Sequence, residues 1–186
     1  INTAALQSTG KIFIGGHFYE VNDYVANNIA RLNTDGRYDN TFNLHKGCDG
    51  TVLATAVQSN QRIIIAGVFS QYNSESANGI ARLRRTGQYD PSFNAGTGAN
   101  GKINTVAIQS NGKILVGGKF TSFDGNSCSN IARLNGDGSF DGGFVAPQTD
   151  GVVRKIKIDA AERIVLAGDF KHVNGLPAQG IARVYQ

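Results

Sequence analysis

The chain is built from short apolar runs, each of which ends at a glycine or at an Asn-Gly pair. Apolar and polar positions alternate over residues 103–109, and the next residues, 110–113, read Ser-Asn-Gly-Lys. Alternation predicts a strand with one covered face, and Asn-Gly predicts a tight hairpin turn. The run at 113–118 is continuously apolar, which predicts a strand covered on both faces. Two more short strands are predicted at 130–135 and 139–144.

This pattern repeats along the whole chain. Ile-Ala-Arg followed by Leu or Val begins at residues 29, 80, 131 and 181, so the spacings are 51, 51 and 50 residues. Gly-x-Phe begins at 16, 67, 118 and 168, and Asp-x-x-Phe begins at 39, 90 and 141. The repeats are therefore 1–51, 52–102, 103–152 and 153–186, and the last of them lacks its fourth strand.

Repeats of about 50 residues with strand character are typical of propeller blades. We expect an all-β fold with little or no helix. It should be a single β-propeller domain over residues 1–186, built of four blade repeats that form a closed four-bladed ring or part of a larger ring. An open arc would expose apolar blade faces, so the chain should close on itself or bury both end blades against more protein.

The ends of the chain suggest that the sequence is part of a longer protein. The sequence contains no methionine, so we expect a processed or excerpted piece of a longer protein. If each blade takes its Asp-x-x-Phe strand from the preceding repeat, the missing strand lies upstream of Ile1. The first ten residues lack the basic start and apolar core of a signal peptide.

Composition narrows the class of protein. The 24 glycines against 3 prolines suit many tight turns, and no apolar run approaches the roughly 20 residues of a membrane-spanning helix. The net charge of +4 is scattered rather than interleaved with stacking aromatics, which argues against nucleic-acid binding. Cys48 and Cys128 are too few for a disulfide scaffold, and independent thiols are favoured over a bridge between them.

No catalytic pattern is present, so we expect no enzyme activity and no cofactor. The three histidines form no metal-binding or catalytic spacing, and no nucleophile elbow or phosphate-binding loop occurs. Asn33-x-Asp35-Gly36-x-x-Asp39 resembles a short calcium loop, as does the equivalent stretch with Asp137 and Asp141. Asp-Gly between two strands also predicts a simple turn, and we favour the turn and expect no metal site.

Two residue types recur at fixed positions and are predicted to be structural. Because every blade must solve the same packing problem, a repeated residue suits packing better than a single functional site. The arginines should be buried and paired with the aspartate of the same hairpin in bidentate geometry, although the last repeat has no such aspartate. The glycines should allow close backbone packing. These positions are Arg31, Arg82, Arg133 and Arg183, with Gly16, Gly67, Gly118 and Gly168.

Function in repeat folds usually lies where the repeats differ. The residue after the Gly of Gly-x-Phe and the loop that follows vary between repeats, although neutral drift would give the same variation. The candidate ligand-binding residues are His17, Tyr19, Asp23, Tyr24, Glu75, Asp169 and His172.

The repeated phrases resemble the delta-sixty repeat family of bacterial and phage β-propeller proteins. The family phrases read Ala-x-Gln-Ser-x-Gly-Lys-Ile-x-x-Gly-Gly-x-Phe and Ile-Ala-Arg-Leu-Asn-x-Asp-Gly, and residues 107–120 and 131–138 match them. The match extends over essentially the whole chain, with residues 159–163 departing most. The resemblance implies a propeller from a large, exported, multi-repeat protein, and it carries no agreed biochemical activity.

The sequence therefore favours a non-catalytic exported binding or adhesion module that presents variable loops to a glycan or protein ligand. The alternative is a structural subunit of a surface fibre, phage tail or virion appendage, whose partners are further copies or blades of the same assembly. Either interpretation places the protein outside the cell, at the cell surface or on a virion. Neither involves nucleic acid or membrane insertion.

Overall fold

The computed structural model describes residues 1–42 and 46–185, and over these residues every regular element is a β-strand. The predicted all-β, propeller-like fold of repeated sheets is confirmed. The described residues contain no helix long and apolar enough to cross a membrane. The chain divides into two compact units, Ile1–Ser92 and Phe93–Gln186, each of which holds the strands of two repeats.

The strands follow the repeats, five to each. The first unit contains β1 (Thr3–Leu6), β2 (Ile12–Gly15), β3 (Glu20–Val21), β4 (Tyr24–Val25), β5 (Ile29–Leu32), β6 (Thr51–Val57), β7 (Ile63–Val68), β8 (Gln71–Tyr72), β9 (Glu75–Ser76) and β10 (Ile80–Leu83). The second unit contains β11 (Lys102–Ile108), β12 (Ile114–Lys119), β13 (Ser122–Phe123), β14 (Asn126–Ser127), β15 (Ile131–Leu134), β16 (Val153–Ile158), β17 (Ile164–Gly168), β18 (His172–Val173), β19 (Leu176–Pro177) and β20 (Ile181–Val184).

Each repeat forms the same sheet. Its first, second and fifth strands pair antiparallel in that order, as in β11-β12-β15, and its third and fourth strands form a small separate hairpin. In the first three repeats an isolated bridge then adds the segment that follows the fifth strand: Leu32–Tyr38, Leu83–Tyr89 and Leu134–Phe140. The blade is therefore four segments wide in these repeats, as the sequence predicts.

The Asp-x-x-Phe segment belongs to the blade of its own repeat. The backbone N–H of Asp39 donates to the carbonyl oxygen of Arg31 at 2.9 Å, and Asp141 does the same to Arg133. The hypothesis that each blade borrows this segment from the preceding repeat is therefore wrong. Within this sequence, the repeat without an Asp-x-x-Phe segment is therefore the fourth, beside β20. The first repeat needs no such segment from before β1.

Apolar strands that read as continuous runs are buried, because residues of the neighbouring repeat cover them. In the first unit Phe13 shares a core with Ile63 and Ile65 of the next repeat. In the second unit Leu115 packs in the same way with Val153 and Ile156, and it is 0% exposed. This burial explains why the central strands do not alternate with polar residues.

Side chains also join neighbouring repeats within each unit. The hydroxyl of Thr3 accepts a hydrogen bond from the backbone N–H of Thr55 at 3.1 Å, and the hydroxyl of Thr105 accepts one from Ile156 at the same distance. Thr55 and Ile156 lie on the first strands of the second and fourth repeats. The equivalent bonds in both units show that the repeats stack by the same contacts.

Three of the four repeated glycines lie opposite a β-bulge. The register shifts between Ile103 and Thr105, and Gly118 pairs with this stretch. A Cβ atom on Gly118 would stand 1.9 Å from the carbonyl oxygen of Lys102, and Gly67 and Gly168 are crowded by backbone in the same way. The predicted close backbone packing is confirmed here. Gly16 is less crowded, because its nearest atoms would be 3.0 Å away.

Both cysteines are free, as two independent thiols predict. Burial raises the pKa of the Cys48 thiol far above its ordinary range, with a smaller contribution from Asp49. Burial also raises the pKa of Cys128 to about 11. Because the thiolate is the reactive form, the raised pKa values disfavour reaction of both side chains at neutral pH.

Candidate functional site

A buried arginine–aspartate pair recurs in the first three repeats. Arg31 Nε lies 2.5 Å from Asp39 Oδ2, and the same atoms are 2.7 Å apart in Arg82–Asp90 and 2.6 Å apart in Arg133–Asp141. Asp39 and Asp90 are buried, as are Arg31 and Arg82. The predicted pairing within one hairpin is confirmed. A second cation, described next, contacts each of these aspartates. We use the term latch for the arginine, the aspartate and this second cation together.

A second cation completes each latch. Lys11 Nζ lies 2.7 Å from Asp39 Oδ2, Lys113 makes the same contact with Asp141, and Arg62 approaches Asp90 at 3.3 Å. These three cations all come from the start of the second strand or the turn before it. The latch therefore ties three segments of one repeat together, and not two.

The arginine side chain is shared among several acceptors. Arg31 Nη1 donates to the carbonyl oxygen of Arg85 at 2.6 Å, and Nη2 donates to Thr41 Oγ1 at 3.2 Å. The expected bidentate geometry is therefore wrong for Arg31, whose Nε alone contacts the carboxylate. The guanidinium also lies 4.9 Å from the centre of the Phe42 ring, which explains why the phenylalanine recurs with the aspartate.

The latches lower the pKa of their aspartates. Burial raises the pKa of Asp39, but hydrogen bonds from Lys11 and Thr41 outweigh it, and the net pKa lies below the ordinary 3.8. The same balance with Ser92 lowers the pKa of Asp90. In Asp141 the hydrogen bond from Lys113 is the largest cause of the lowered pKa.

Acid should therefore destabilise the protein. An aspartate with a lowered folded-state pKa contributes stability above its unfolded-state pKa, and this stability is lost as the pH falls through the folded-state value. We expect the free energy of unfolding to be level from about pH 7 to pH 5 and to fall steeply below about pH 4. Denaturant titrations across this range measure it. In Asp141→Asn the free energy of unfolding should fall less between pH 5 and pH 3 than in the wild type. An equal fall in both proteins would contradict the assignment of this acid sensitivity to the latch aspartates.

The calcium-like stretches are turns. Asp35 Oδ1 accepts the backbone N–H of Arg37 at 3.0 Å, and Gly36 has a φ of 82°, which closes the turn. Asp137 accepts two hydrogen bonds from Ser139 in the same way. Over residues 1–42 and 46–185, no group of three or more His, Cys, Asp or Glu side chains could hold a metal ion.

The fourth repeat does not form the latch that the first three repeats share. Arg183 is exposed, and none of the described residues supplies it with a hydrogen-bonding partner. The prediction that all four arginines are buried and bonded is therefore wrong for Arg183, because its repeat has no Asp-x-x-Phe segment within the sequence. Arg163, which stands where Lys11 and Lys113 stand, pairs instead with Asp159 at 2.7 Å.

The variable position after the repeated glycine is exposed in every repeat. It is occupied by His17, Val68, Lys119 and Asp169. The four side chains differ in charge and polarity while the glycine before them and the phenylalanine after them stay constant. This position can therefore change without disturbing the core.

A cavity of about 560 Å³ opens beside this position in the fourth repeat. It brings together Asp169 and His172, two of the predicted ligand-binding residues. The lining residues are Gly168, Asp169, Phe170, Lys171, His172, Pro177, Gln179 and Gly180. The exposed apolar ring of Pro177 therefore lies beside an acid, a base and an amide, a combination common in binding sites for small polar ligands.

An exposed ion pair and an exposed histidine–aspartate contact orient the polar side chains around the cavity. Arg154 Nε and Nη2 donate to the two carboxylate oxygens of Asp169 at 2.7 and 2.6 Å. His172 Nδ1 lies 2.8 Å from Asp150 Oδ2. The side-chain hydrogen bond from His172 and the backbone N–H groups of His172 and Lys171 lower the pKa of Asp150 to about 2. The cavity therefore presents charged and hydrogen-bonding groups in fixed positions.

The other predicted ligand-binding residues lie in the first unit, outside this cavity. Tyr24 stacks on Tyr38, with ring centres 4.6 Å apart and planes 6° apart. Tyr19 is exposed, and His17 Nδ1 lies 3.4 Å from Thr51 Oγ1. Asp23 and Glu75 are also placed on small hairpins of the first unit, Asp23 in the turn between β3 and β4 and Glu75 on β9. Their role in binding stays a prediction.

Sequence reasoning missed Arg154 and Asp150. Arg154 occupies the bulge position that is Asn2 in the first repeat and Asn104 in the third, where the amide bonds to the carbonyl oxygen of Val52 or Val153. The second repeat has Leu53 at this position, so Arg154 is the only charged residue there, and alignment of the repeats could have found this signal. Asp150 was harder to detect, because an acid or amide at this position also caps the hairpin backbone in other repeats.

The sheets, bulges and latches define a β-propeller repeat protein. The chain belongs to the family described as "Domain of unknown function (DUF5122) beta-propeller", whose model matches residues 7–42, 58–93 and 109–144, more than half of the chain. Its finer resemblance to the delta-sixty repeats stays a prediction. None of the curated proteins matches the chain.

Solved structures with a similar fold come from proteins of different kinds. The gluconolactonase XC5397 from Xanthomonas campestris matches with a TM-score of 0.58 and 15% identity, over 89% of this chain and 52% of that one. Virginiamycin B lyase from Staphylococcus aureus matches with a TM-score of 0.55 and 15% identity, over 98% and 54%. The extracellular domain of BT4673 from B. thetaiotaomicron matches with a TM-score of 0.56 and 16% identity, over 98% and 21%. The chain thus spans about half or less of these structures, and the similarity shows the fold alone.

Proposed function

We propose that the protein is a non-catalytic, exported binding module and that the fourth-repeat cavity is its ligand site. The ligand is a glycan or a polar surface of a protein. The chain supplies four blades of a propeller, which closes on itself or is completed by more protein.

The observation that carries this proposal is the position of the cavity. Several repeats share the same latches, the same glycines opposite β-bulges and the same threonine hydrogen bonds. The cavity lies at a position where the side chains of the fourth repeat differ from those of the others. Asp169 and His172 replace Val68 and Gln71 of the second repeat. A group that differs among otherwise similar repeats is free to serve recognition.

The chemistry of the cavity suits a hydroxyl-rich ligand. Asp169 and Gln179 offer hydrogen-bond acceptors, and Lys171 offers a donor. The exposed ring of Pro177 provides apolar surface for the carbon face of a ring. The volume of about 560 Å³ lies within the range of about 300 to 1,000 Å³ common for small-ligand sites.

Binding is favoured over catalysis because the side-chain hydrogen bond from Arg154 lowers the pKa of Asp169, which makes this carboxylate a weak general base. An exported location is supported by the extracellular domain among the similar structures, although enzymes share the fold too.

The alternative function is a structural subunit of a surface fibre, phage tail or virion appendage. The stacking of neighbouring repeats by equivalent threonine hydrogen bonds favours it, because regular contacts between repeats suit a stiff spacer.

Screening the purified protein on a glycan array and against extracellular protein fractions tests the binding function. We expect Asp169→Ala to weaken binding of any ligand found by about tenfold or more, since it removes a charged hydrogen-bonding group. Lys119→Ala is the matched control, because Lys119 occupies the same repeat position outside the cavity, and it should bind as the wild type does. Absence of any ligand, or equal binding by Asp169→Ala, would refute the proposal.

A further inference from the structure

A buried glutamine recurs at the end of the first strand in the first three repeats. Gln7, Gln58 and Gln109 occupy this position, and Gln109 is 3% exposed. One amide atom of each side chain has no hydrogen-bonding partner among the described residues: Gln7 Nε2, Gln58 Oε1 and Gln109 Oε1. A buried polar atom without a partner is destabilising, so each of these atoms can take its partner from water or from a ligand.

Gln109 differs from the other two because it lines a cavity of about 320 Å³. The walls come from two hairpin turns of the second unit, residues 109–111 of the third repeat and 161–163 of the fourth, together with Tyr185. This cavity and the fourth-repeat cavity lie at opposite ends of β17. The buried acceptor of Gln109 therefore has space beside it for a second, separate ligand.

Glu162 gives this cavity a charge that the equivalent turns of the first unit lack. The backbone N–H of Ser110 donates to Glu162 Oε2 at 3.4 Å. In the first unit the backbone N–H of Ser8 donates in the same way to Gln61 Oε1, at 3.2 Å. The contact between the turns is thus the same in both units, but a carboxylate replaces a neutral amide beside Gln109.

The charges of the cavity favour a cationic ligand. Arg163 also lines it, but its Nε lies 2.7 Å from Asp159 Oδ2, so the positive charge of Arg163 is offset. The carboxylate of Glu162 then leaves an excess of negative charge. A primary ammonium group has three donors and a positive charge, and it therefore suits both Gln109 Oε1 and Glu162.

We propose that this cavity binds a small hydroxylated primary amine, such as an amino sugar. The ammonium group donates to Gln109 Oε1 and to the carboxylate of Glu162. Ser110 and Asn111 are exposed and carry both donors and acceptors, so they bind the hydroxyl groups. The volume of about 320 Å³ lies at the lower end of the range for small-ligand sites, which suits a single sugar ring.

Titration of the full chain with glucosamine, followed by NMR, tests the proposal. We expect the amide signals of residues 109–111 and 161–163 to shift. Glucose, which has a hydroxyl in place of the amine, should bind about tenfold more weakly or worse, and so should n-butylamine, which lacks the hydroxyl groups. No shift at millimolar glucosamine, or equal affinity for glucosamine and either control compound, would overturn the proposal.

Variants assign the binding to the cavity. Glu162→Gln gives the fourth repeat the amide of the second, so it should keep the wild-type melting temperature and weaken glucosamine binding by about tenfold. Glu20→Gln is the matched control, because it makes the same change at an exposed glutamate of the first unit, and it should bind as the wild type does. Wild-type affinity in Glu162→Gln would contradict the proposal.

Gln109→Leu tests the buried acceptor itself. It removes the partnerless oxygen while keeping a side chain of similar size, and we expect it to weaken glucosamine binding by about tenfold or more. The melting temperature shows whether this buried change is tolerated, and if it is not, Glu162→Gln decides the question alone. A folded Gln109→Leu protein with wild-type affinity would overturn the assignment of Gln109 to the site.

Discussion

Replacing Arg133 by alanine should lower the free energy of unfolding by about 3 kcal/mol, because the change breaks a largely buried ion pair and leaves Asp141 short of a donor. Arg133 Nε lies 2.6 Å from Asp141 Oδ2, and its guanidinium packs 4.3 Å from the centre of the Phe144 ring. Both the charge contact and the ring contact are lost. Chemical denaturation followed by circular dichroism measures the change.

Arg183→Ala is the matched control for this experiment. It is the same substitution at the same strand position of the same unit, but the side chain is exposed. We expect a change within about 0.5 kcal/mol, as for most surface substitutions. Similar losses in both variants would show that the arginine acts through strand propensity, and not through the latch.

Replacing Gly118 by alanine should cost about 3 kcal/mol, at the upper end of the range for overpacking. The new Cβ would stand 1.9 Å from the carbonyl oxygen of Lys102 and 3.0 Å from the Cα of Ile103. Both are backbone atoms of the bulged strand, so they cannot move aside as a flexible side chain would. The melting temperature and the free energy of unfolding both report the loss.

Gly142→Ala provides the comparison. Nothing lies within 4 Å of a Cβ at Gly142. The substitution should therefore change the free energy of unfolding by no more than about 0.5 kcal/mol. If Gly118→Ala were equally harmless, the bulge would not require glycine, and its recurrence would need another explanation.

Much of the fold could be predicted from the sequence because the same pattern of residues recurs in each repeat. A single Ile-Ala-Arg stretch is ambiguous, but its return every 50 or 51 residues indicates the strands. The return of Asp-x-x-Phe at the same spacing pairs the first three arginines with an aspartate. The side of the blade on which the last segment pairs could not be predicted in this way. Both arrangements have the same spacing, and only the hydrogen bond from Asp39 to Arg31 decides between them.

The candidate site was predictable only in part. Asp169 and His172 were found because they differ between repeats, and Arg154 and Asp150 were missed because they act through distances that the sequence does not contain. Arg154 is 15 residues from Asp169, and the bulge at Val153–Lys155 brings the two together. Variation between repeats indicates where a site can be, but it does not indicate which charges meet there.

The latch has a consequence for how such a chain changes length. Because each latch closes within one repeat, a gain or loss of a whole 51-residue unit leaves every remaining latch intact. Recombination between copies of the repeat in the gene would therefore yield chains with more or fewer blades, each already stabilised. A cut in the middle of a repeat would separate Arg from Asp and destroy one latch. Viable length variants should accordingly differ by whole numbers of repeats.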